Sequence, residues 1–336
     1  MRLLIVGGVG GTNVGESFFH AARARGLEAR IVDSTAAYRG SRPLRFLAWY
    51  LAGHRPAALS AFSRDVEEAA KSHRATIVVT TGLAPVTAAT LRDLGKRGIV
   101  RVNFLTDDPF NPNHAAPWFE EALPQYDFVF SPRKAGMPEI AKAGCPDVRY
   151  LPFGYDERHF FPDPQAPREM ASDLFFAGNG DADRARYIAP LLDAGIDVRL
   201  YGDYWPRYLG VRGVSHGHAG PDVVRHGLNT TKVGLCLVRR ANRDGNSMRT
   251  FEVPAAGACP LMEDTQDHRE IFGPEGHAVL YFSTPQEAVA KTQALLRDDA
   301  LQSKLAREAH KLIRAGGHTY GDRLDAMLRA AQPGAR

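Results

Sequence analysis

The stretch DGNSMRTFEVPAAGACPL, residues 244–261, decides the fold of this 336-residue chain. A glycine turn and small polar residues precede a short helical segment, and apolar runs flank it at 233–238 and 258–262. This order predicts a strand, a loop, a helix and a second strand. The first N–H groups of a helix lack partners within it and carry the positive end of its dipole. We therefore expect a phosphate or diphosphate to bind at this helix tip.

The same alternation of strands and helices extends along the whole chain. Short runs rich in Val, Ile and Phe predict strands at 2–7, 28–34, 75–81, 98–105, 126–131, 148–152, 173–178, 196–202, 232–238, 258–262 and 277–282. Their apolar residues are continuous, which is typical of parallel strands covered on both faces. The sequence therefore predicts an α/β protein with two Rossmann-like, doubly wound domains and a cleft between the carboxyl ends of their sheets.

The domain boundary is predicted from residues 151–170, which contain four prolines and no helix or strand period. We expect an N-terminal domain over 1–152, a second domain over 153–318, and a final helix over 319–336 that packs back toward the first. In that helix Leu324, Met327, Leu328 and Ala331 share one face.

Composition narrows the class of protein. With 44% hydrophobic and 24% charged residues, the chain has the balance of a soluble globular protein. The net charge is +4 and the basic residues are scattered, so we expect no nucleic-acid partner. An anionic small molecule, or weak attachment to an anionic membrane surface, fits this charge. No apolar run reaches the roughly 20 residues of a membrane span.

The three cysteines favour a reducing, cytoplasmic location. Cys145, Cys236 and Cys259 are odd in number and lack C-x-x-C spacing, so we expect small buried thiols and no disulfide framework.

The glycine loop GGVGGTNVG, residues 7–15, allows three interpretations. Gly8 and Gly10 fit the first two places of G-x-G-x-x-G, and Asp33 follows at the distance of a ribose-binding acid, as in an NAD(P)-dependent oxidoreductase. Asn13 occupies the third glycine place, however. The loop is otherwise a tight turn, or a segment whose Gly10 and Gly11 N–H groups approach a donor phosphate or an acceptor.

A polar loop follows the fourth predicted strand. Asp107, Asp108 and His114 lie in NFLTDDPFNPNHAAPWF, residues 103–119, where carboxylates and amides could bond sugar hydroxyls. The two aspartates could equally be turn or cap residues. Their spacing from His114 matches no recognised ligand set, so we predict no metal site.

Two loops of the second half are candidates for binding a nucleotide, through its phosphates or its base. After the strand at 173–178, Asn179 lies in a Gly-Asn-Gly loop and Arg184 follows in the next helix, within reach of a phosphate. After the strand at 196–202, Tyr201 and Gly202 begin the aromatic loop YGDYW, which could stack on a nucleobase or pack ordinarily.

The 244–261 segment supplies the remaining candidates. Arg249 lies in the first helical turn, where the dipole favours acids, so it is predicted to bind an anion unless it forms a surface salt bridge. Glu252 could accept both hydroxyls of a ribose, or simply favour the helix N-terminus. Asp244 would face a sugar attached to the diphosphate. The residues predicted to present backbone N–H groups to a diphosphate are Gly245, Asn246, Ser247 and Met248.

These motifs, in this order, resemble those of retaining GT-B glycosyltransferases of the family 4-like group, with their E-x7-E region. The R-x-F-E-x-x-A-x-G pattern at 249–257, YGDYW at 201–205, HTYGDR at 318–323 and the 151–163 crossover resemble the CgeB-like, spore-maturation branch more closely. The likeness covers residues 150–325 well and residues 1–150 by fold pattern.

This resemblance implies a GT-B hexosyltransferase that uses a UDP- or GDP-type nucleotide sugar, with retention and without a metal or other cofactor. Glu252 takes the place of the second glutamate, and Asp244, with its shorter side chain, that of the first. Asp244, Arg249, Glu252 and Arg184 would be catalytic, and Asp107, Asp108 and His114 would lie on the acceptor side. The acceptor could be a sugar, a lipid, a protein or a small molecule. The alternatives are the oxidoreductase and a non-catalytic binder of sugar nucleotides.

Overall fold

The computed structural model describes residues 1–112, 116–210 and 215–332, apart from the side chain of Leu44. The chain forms two compact units. The first consists of Met1–Pro152, Ala241–Arg243 and Tyr320–Arg336, and the second of Phe153–Arg240 and Asp244–Thr319.

The first unit is built on a six-stranded parallel sheet of order β2-β1-β3-β4-β5-β6. Its strands are β1 (Arg2–Gly7), β2 (Glu28–Asp33), β3 (Ile77–Thr81), β4 (Val100–Phe104), β5 (Phe128–Ser131) and β6 (Val148–Tyr150). Its helices are α1 (Val14–Ala24), α2 (Arg42–Leu51), α3 (Leu59–His73), α4 (Ala88–Lys96), α5 (Pro117–Glu120), α6 (Met137–Lys142) and α14 (Tyr320–Ala330). Leu4, Val6 and Val78 of the central strands are completely buried and form the core with Phe119 and Tyr126.

The last helix, α14, completes the first unit. Its predicted apolar face is buried, since Leu324 and Met327 have no exposed surface. The Tyr320 ring lies 5.7 Å from the ring of Phe18 in α1, and Arg25 Nε lies 2.8 Å from Asp325 Oδ1. Apolar burial therefore holds α14 against α1, with one ion pair at the edge.

The second unit is built on a five-stranded parallel sheet of order β11-β10-β9-β7-β8. Its strands are β7 (Ser172–Ala177), β8 (Val198–Tyr201), β9 (Thr231–Cys236), β10 (Cys259–Glu263) and β11 (Leu280–Phe282). Its helices are α7 (Ala182–Asp193), α8 (Trp205–Leu209), α9 (Pro221–Thr230), α10 (Met248–Ala255), α11 (Gln266–Phe272), α12 (Pro285–Arg297) and α13 (Asp299–Ala315). Leu174, Leu235 and Leu261 of the three central strands are buried in its core.

The proline-rich stretch after residue 152 is packed into the second unit. Phe153, Tyr155 and Phe160 are buried there. The Tyr155 N–H donates to His318 O at 3.2 Å, and Arg225 Nε lies 3.3 Å from Asp163 Oδ2. The absence of a helix or strand period thus reflects irregular, anchored backbone.

The three cysteines are unpaired and buried, as the sequence predicts. Burial raises the pKa of Cys145 to about 11 and that of Cys259 to about 12. These thiols behave as small apolar side chains. Among the described residues, no helix is both long and apolar enough to span a membrane.

Candidate functional site

The carboxyl ends of β7, β9 and β10 meet at one edge of the second sheet, because the strands are parallel. The loops that follow them lead to α7, α10 and α11. The N-termini of these helices therefore gather at this edge, together with the predicted donor-binding residues.

The loop after β7 is interlocked with the loop after β8. Gly178 N–H donates to Tyr201 O at 3.0 Å, and Asp203 N–H donates to Asn179 Oδ1 at 3.0 Å. Gly202 has a φ of +120°, and a Cβ added there would lie 2.2 Å from Gly178 O, so glycine is required. Asn179 and Gly202 therefore shape the loop on which the nearby charged groups lie.

The aromatic residues of the β8 loop divide into packing and exposed positions. The Tyr201 ring lies 5.7 Å from Phe175 and 5.1 Å from His216. Trp205 is completely buried, and its Nε1 donates to Gly178 O at 2.9 Å. Both side chains therefore pack within the second unit and support the loop. Tyr204, in contrast, is 64% exposed and could stack on a base.

Arg184 is a buried cation on α7. Only 9% of the residue is exposed, and its Nη1 donates to Asn179 O at 3.0 Å. Its Nε has no hydrogen-bond acceptor among the described residues, and Asp181 Oδ2 lies 3.8 Å away. Asp181 Oδ1 already accepts the Arg184 N–H at the start of α7, at 2.8 Å. A polar atom of this guanidinium thus remains available to a bound anion.

The charge of a second arginine acts on Arg184. The pKa of Arg184 is lowered to about 10, first by burial and then by the charge of Arg239, against the opposing charges of Asp181, Asp244 and Glu263. The charge of the half-buried Arg239, which follows β9, therefore acts on the buried guanidinium of Arg184. Such an arrangement is unfavourable for the protein alone and favours a multiply charged anion.

Glu263 is committed to Arg240. Its Oε1 accepts from Arg240 Nη2, which also donates to Tyr187 Oη at 3.0 Å, and its Oε2 accepts the Val238 N–H at 3.1 Å. This carboxylate therefore forms its ion pair with Arg240.

The tip of α10 is fixed by a directed chain of hydrogen bonds. Ser247 N–H donates to Thr250 Oγ1 at 2.9 Å, so the Thr250 hydroxyl is free to donate to His268 Nε2 at 2.8 Å. His268 Nδ1 lies 2.6 Å from Glu263 O, to which only an Nδ1–H can donate. These partners assign a neutral His268 with its proton on Nδ1.

Asn246 anchors the turn before α10 and is completely buried. Its Oδ1 accepts the Phe153 N–H at 3.1 Å, and its Nδ2 donates to Asp267 Oδ2 at 2.8 Å. Gly245 leaves room for the Asp267 carboxylate, which a Cβ would approach to 2.5 Å. Ser247 and Met248 are half-buried at the tip itself. Turn and cap therefore place the first-turn N–H groups of α10 in a rigid frame.

Arg249 and Glu252 form an ion pair on consecutive turns of α10. Arg249 Nη1 pairs with Glu252 Oε2, and Arg249 Nε donates to Ala177 O at 2.8 Å. Glu252 is only 1% exposed. Arg249 is half-buried and its partner is buried, so the pair is not the surface salt bridge that the sequence offered as an alternative. A contact between Glu252 and a ribose stays a prediction.

The glycine loop of the first unit is satisfied by the protein itself. Gly10 N–H donates to Glu16 Oε2 at 2.8 Å, and Asn13 Nδ2 donates to Gly10 O at 2.6 Å. Asp33 accepts the N–H and hydroxyl of Thr35. A carboxylate at the loop repels a pyrophosphate, so the structure does not support the oxidoreductase interpretation. Gly11 is exposed beside Gly10.

The predicted acceptor-side aspartates differ in their surroundings. Asp108 is 2% exposed, accepts the Phe110 N–H at 3.0 Å and pairs with Arg243 Nε at 2.7 Å. Asp107 is half-buried and accepts the Thr106 hydroxyl at 3.1 Å. Asp107 therefore has the more accessible carboxylate. His114 lies outside the described residues.

No group of three or more His, Cys, Asp or Glu side chains could hold a metal ion within residues 1–112, 116–210 and 215–332. Positive charge at the β7 and β9 ends is supplied by arginines. Of these, Arg239 was missed by the sequence analysis, although Arg239 and Arg240 directly follow the predicted strand at 232–238.

Comparison with solved structures defines the fold. Sucrose-phosphate synthase from Thermosynechococcus elongatus superimposes with a TM-score of 0.66, at 15% identity over 98% of this chain and 99% of that chain. The Anabaena protein HepE, solved with UDP, gives 0.64 at 11% identity, over 98% and 99%. T4 phage BGT, solved with its UDP-glucose substrate, gives 0.63 at 16% identity, over 99% and 100%. The predicted GT-B fold of two Rossmann-like units is confirmed.

Residues 184–329 match the model of a family described as glycosyl transferase-like. No curated protein matches the sequence. The match begins at Arg184 and includes the α10 segment, so a family-level signal and the arginine cluster coincide in the second unit.

Proposed function

We propose that this protein is a retaining glycosyltransferase that takes its sugar from a UDP-type nucleotide sugar. One observation carries this proposal: the buried Arg184 has a guanidinium nitrogen that lacks an acceptor among the described residues, and the charge of Arg239 acts on it. Both arginines lie in or beside the segment that matches the glycosyl transferase-like family.

A diphosphate carries the negative charge that the two arginines would bind. Its oxygens would accept from Arg184 and Arg239, while the first-turn N–H groups of α10 would bind it along the helix dipole. When the sugar leaves, negative charge grows on the diphosphate, so these fixed donors act most strongly in the transition state. One such donor typically contributes about 3 kcal/mol.

The reaction itself breaks the bond between the anomeric carbon and the diphosphate oxygen. An acceptor hydroxyl oxygen forms the new bond to that carbon on the same face, and its proton passes to the departing diphosphate. The leaving group therefore serves as the base. Arginines provide the charge stabilisation that a divalent cation provides elsewhere, so we propose catalysis without a metal or other cofactor.

The remaining donor contacts follow from position. Glu252 holds Arg249 at the end of β7, and we propose that its carboxylate also accepts from a ribose in the complex. Tyr204 is exposed where a base could stack. Asp244, whose charge acts on Arg184, would face the sugar.

The finer assignment rests on the sequence. The resemblance of residues 150–325 to the CgeB-like branch supports retention and a hexosyl donor. We propose that Asp107 contacts the acceptor, because its carboxylate is more accessible than that of Asp108. HepE and T4 phage BGT, which were solved with UDP and UDP-glucose, support UDP as the nucleotide of the donor.

A thermal-shift titration with UDP, GDP and NADH tests the proposal. We expect UDP to raise the melting temperature of the wild type and NADH to leave it unchanged. Arg239→Ala removes a charge-assisted hydrogen bond of about 1.5–3 kcal/mol and should weaken UDP binding roughly ten- to hundredfold.

Arg186→Ala is the matched control, since Arg186 is an exposed arginine two residues from Arg184. It should bind UDP as the wild type does. If no nucleoside diphosphate shifts the wild-type melting curve, the proposal fails. Release of free sugar from the donor, lost in Arg239→Ala, would separate an enzyme from a non-catalytic binder.

A further inference from the structure

Helix α2 exposes an apolar stripe that would normally face a core. Pro43, Phe46, Leu47, Tyr50 and Leu51 recur at spacings of three and four residues, which places them on one side of the helix. Phe46, Leu47, Tyr50 and Leu51 are 61%, 50%, 67% and 76% exposed. Of eleven exposed large hydrophobic residues in the described part of the chain, five lie on this ten-residue helix. Such clustering marks an interaction surface.

The same segment is strongly basic. Residues 34–64 contain five arginines and no Asp or Glu, whereas the whole chain has a net charge of +4. Arg42 and Arg45 flank the stripe on α2 and are exposed. Within the described residues neither has an ion-pair partner. An excess of positive charge within residues 34–64 thus accompanies the apolar stripe.

Aromatic rings and arginines line an open groove beside α2. The Phe46 and Tyr50 rings lie 4.7 Å apart, and the Trp49 ring lies 6.5 Å from that of Tyr38. Arg42, Arg45 and Arg55 lie along the same groove. Aromatic side chains with a polar end are typical of surfaces that meet a membrane interface.

We propose that α2 is an interfacial helix that docks the first unit onto an anionic lipid bilayer. The Phe46, Leu47, Tyr50 and Leu51 side chains enter the boundary between headgroups and acyl chains, and the arginines bind lipid phosphates. This inference does not depend on the proposed glycosyl transfer.

Charge selects this occupant over a second copy of the chain. In a twofold dimer the same patch meets itself, so two arginine-rich clusters would face each other and repel. An anionic bilayer offers negative charge to the arginines and an apolar layer to the stripe. A ten-residue helix spans about 15 Å and lies along the interface, because it is too short to cross it.

Co-sedimentation of the full chain with vesicles tests the proposal. We expect binding to vesicles of phosphatidylcholine and phosphatidylglycerol at 7:3, at least tenfold weaker binding to phosphatidylcholine alone, and weakening by 0.5 M NaCl. Trp118 and Trp205 are buried, so a blue shift of tryptophan emission on binding would report Trp49.

Two double variants separate the contributions. Phe46→Ser with Leu51→Ser removes apolar surface, and Arg42→Gln with Arg45→Gln removes charge; each should lower vesicle binding at least tenfold. Because these side chains are exposed, melting temperatures should not change. The control, Arg186→Gln with Tyr208→Ser, changes one exposed arginine and one exposed aromatic residue elsewhere and should bind like the wild type.

The proposal is overturned if the wild type does not sediment with anionic vesicles, or if both double variants sediment equally well. It is also overturned if light scattering shows a wild-type dimer that Phe46→Ser with Leu51→Ser separates into monomers. The UDP melting shift is measured on the same variants, so failure of docking is distinguishable from failure of donor binding.

Discussion

At the scale of single residues, the site depends on how much room the loops leave. Gly178 lies against Arg184 and Phe176, and a Cβ there would approach Arg184 Nη1 to 3.4 Å. The sequence predicts Arg184 on a helix after a glycine loop, but burial of its guanidinium arises from packing across β7 and β8. The sequence does not show which of Arg239 and Arg240 could bind an anion, because two consecutive arginines are usually both solvated. Only the structure shows that Glu263 neutralises one of them.

The ion pair of the half-buried Arg249 and the buried Glu252 gives a prediction at this scale. Glu252→Ala leaves the Arg249 guanidinium without its carboxylate and should lower the free energy of unfolding by about 3–5 kcal/mol. Arg249→Met with Glu252→Leu replaces both charges by apolar side chains and should recover most of that loss. Urea unfolding measures both changes.

In the double variant, recovery of stability should not restore binding of the nucleotide-sugar donor. The double variant is expected to fold but to show no melting shift with UDP, because the anion donor and the proposed ribose acceptor are both absent. A Glu252→Ala protein as stable as the wild type would mean that the ion pair does not form in solution.

At the scale of elements, buried parallel strands were predictable and surface elements were not. All eleven predicted strands are present, because continuous apolar runs bounded by Gly, Asn and Asp carry a strong local signal. Helices α12 and α13 are separated at Asp298, whose side chain accepts the Leu301 N–H at the start of α13. Helix α2 was not identified, since its apolar stripe faces outward and only coordinates distinguish an exposed stripe from a buried one.

The hydrogen-bond chain at α10 predicts a pH dependence of stability. Burial lowers the pKa of His268 below its ordinary value of 6.5. The unfolded chain therefore binds a proton that the folded chain does not, so stability is full above pH 6.5 and falls as the pH decreases below it. Protonation at Nε2 would also remove the acceptor of the Thr250 hydroxyl at the α10 tip.

Melting temperatures at pH 7.5 and 5.5 check this dependence. His268→Gln keeps an amide near the Nε2 position but does not titrate, so its melting temperature should fall less between the two pH values than that of the wild type. His277→Gln, at an exposed histidine, should fall as much as the wild type. An equal fall in wild type and His268→Gln would exclude His268 as the titrating group.

At the scale of the whole molecule, the first unit is not one continuous stretch of the chain. The first unit takes three segments, and its last helix follows the complete second unit in sequence. The GT-B class was predictable because strand–helix alternation and the 244–261 motif both point to it. The membership of Ala241–Arg243 in the first unit was not, since Arg243 and Asp108 are 135 residues apart.

This composition predicts that the two units lose stability separately when the chain is shortened. Truncation after Thr319 removes α14, whose Leu324 and Met327 are completely buried. Deleting one such side chain to alanine typically costs about 2–5 kcal/mol, and a domain has only about 5–15 kcal/mol in total. We therefore expect the first unit to lose amide-exchange protection in β1 and β3 while the second keeps its protection and its UDP response. Removal of residues 333–336 alone should change neither. A truncated chain that keeps wild-type protection in β1 would show that α14 is dispensable to the first unit, because burial against α1 would then contribute little to its stability.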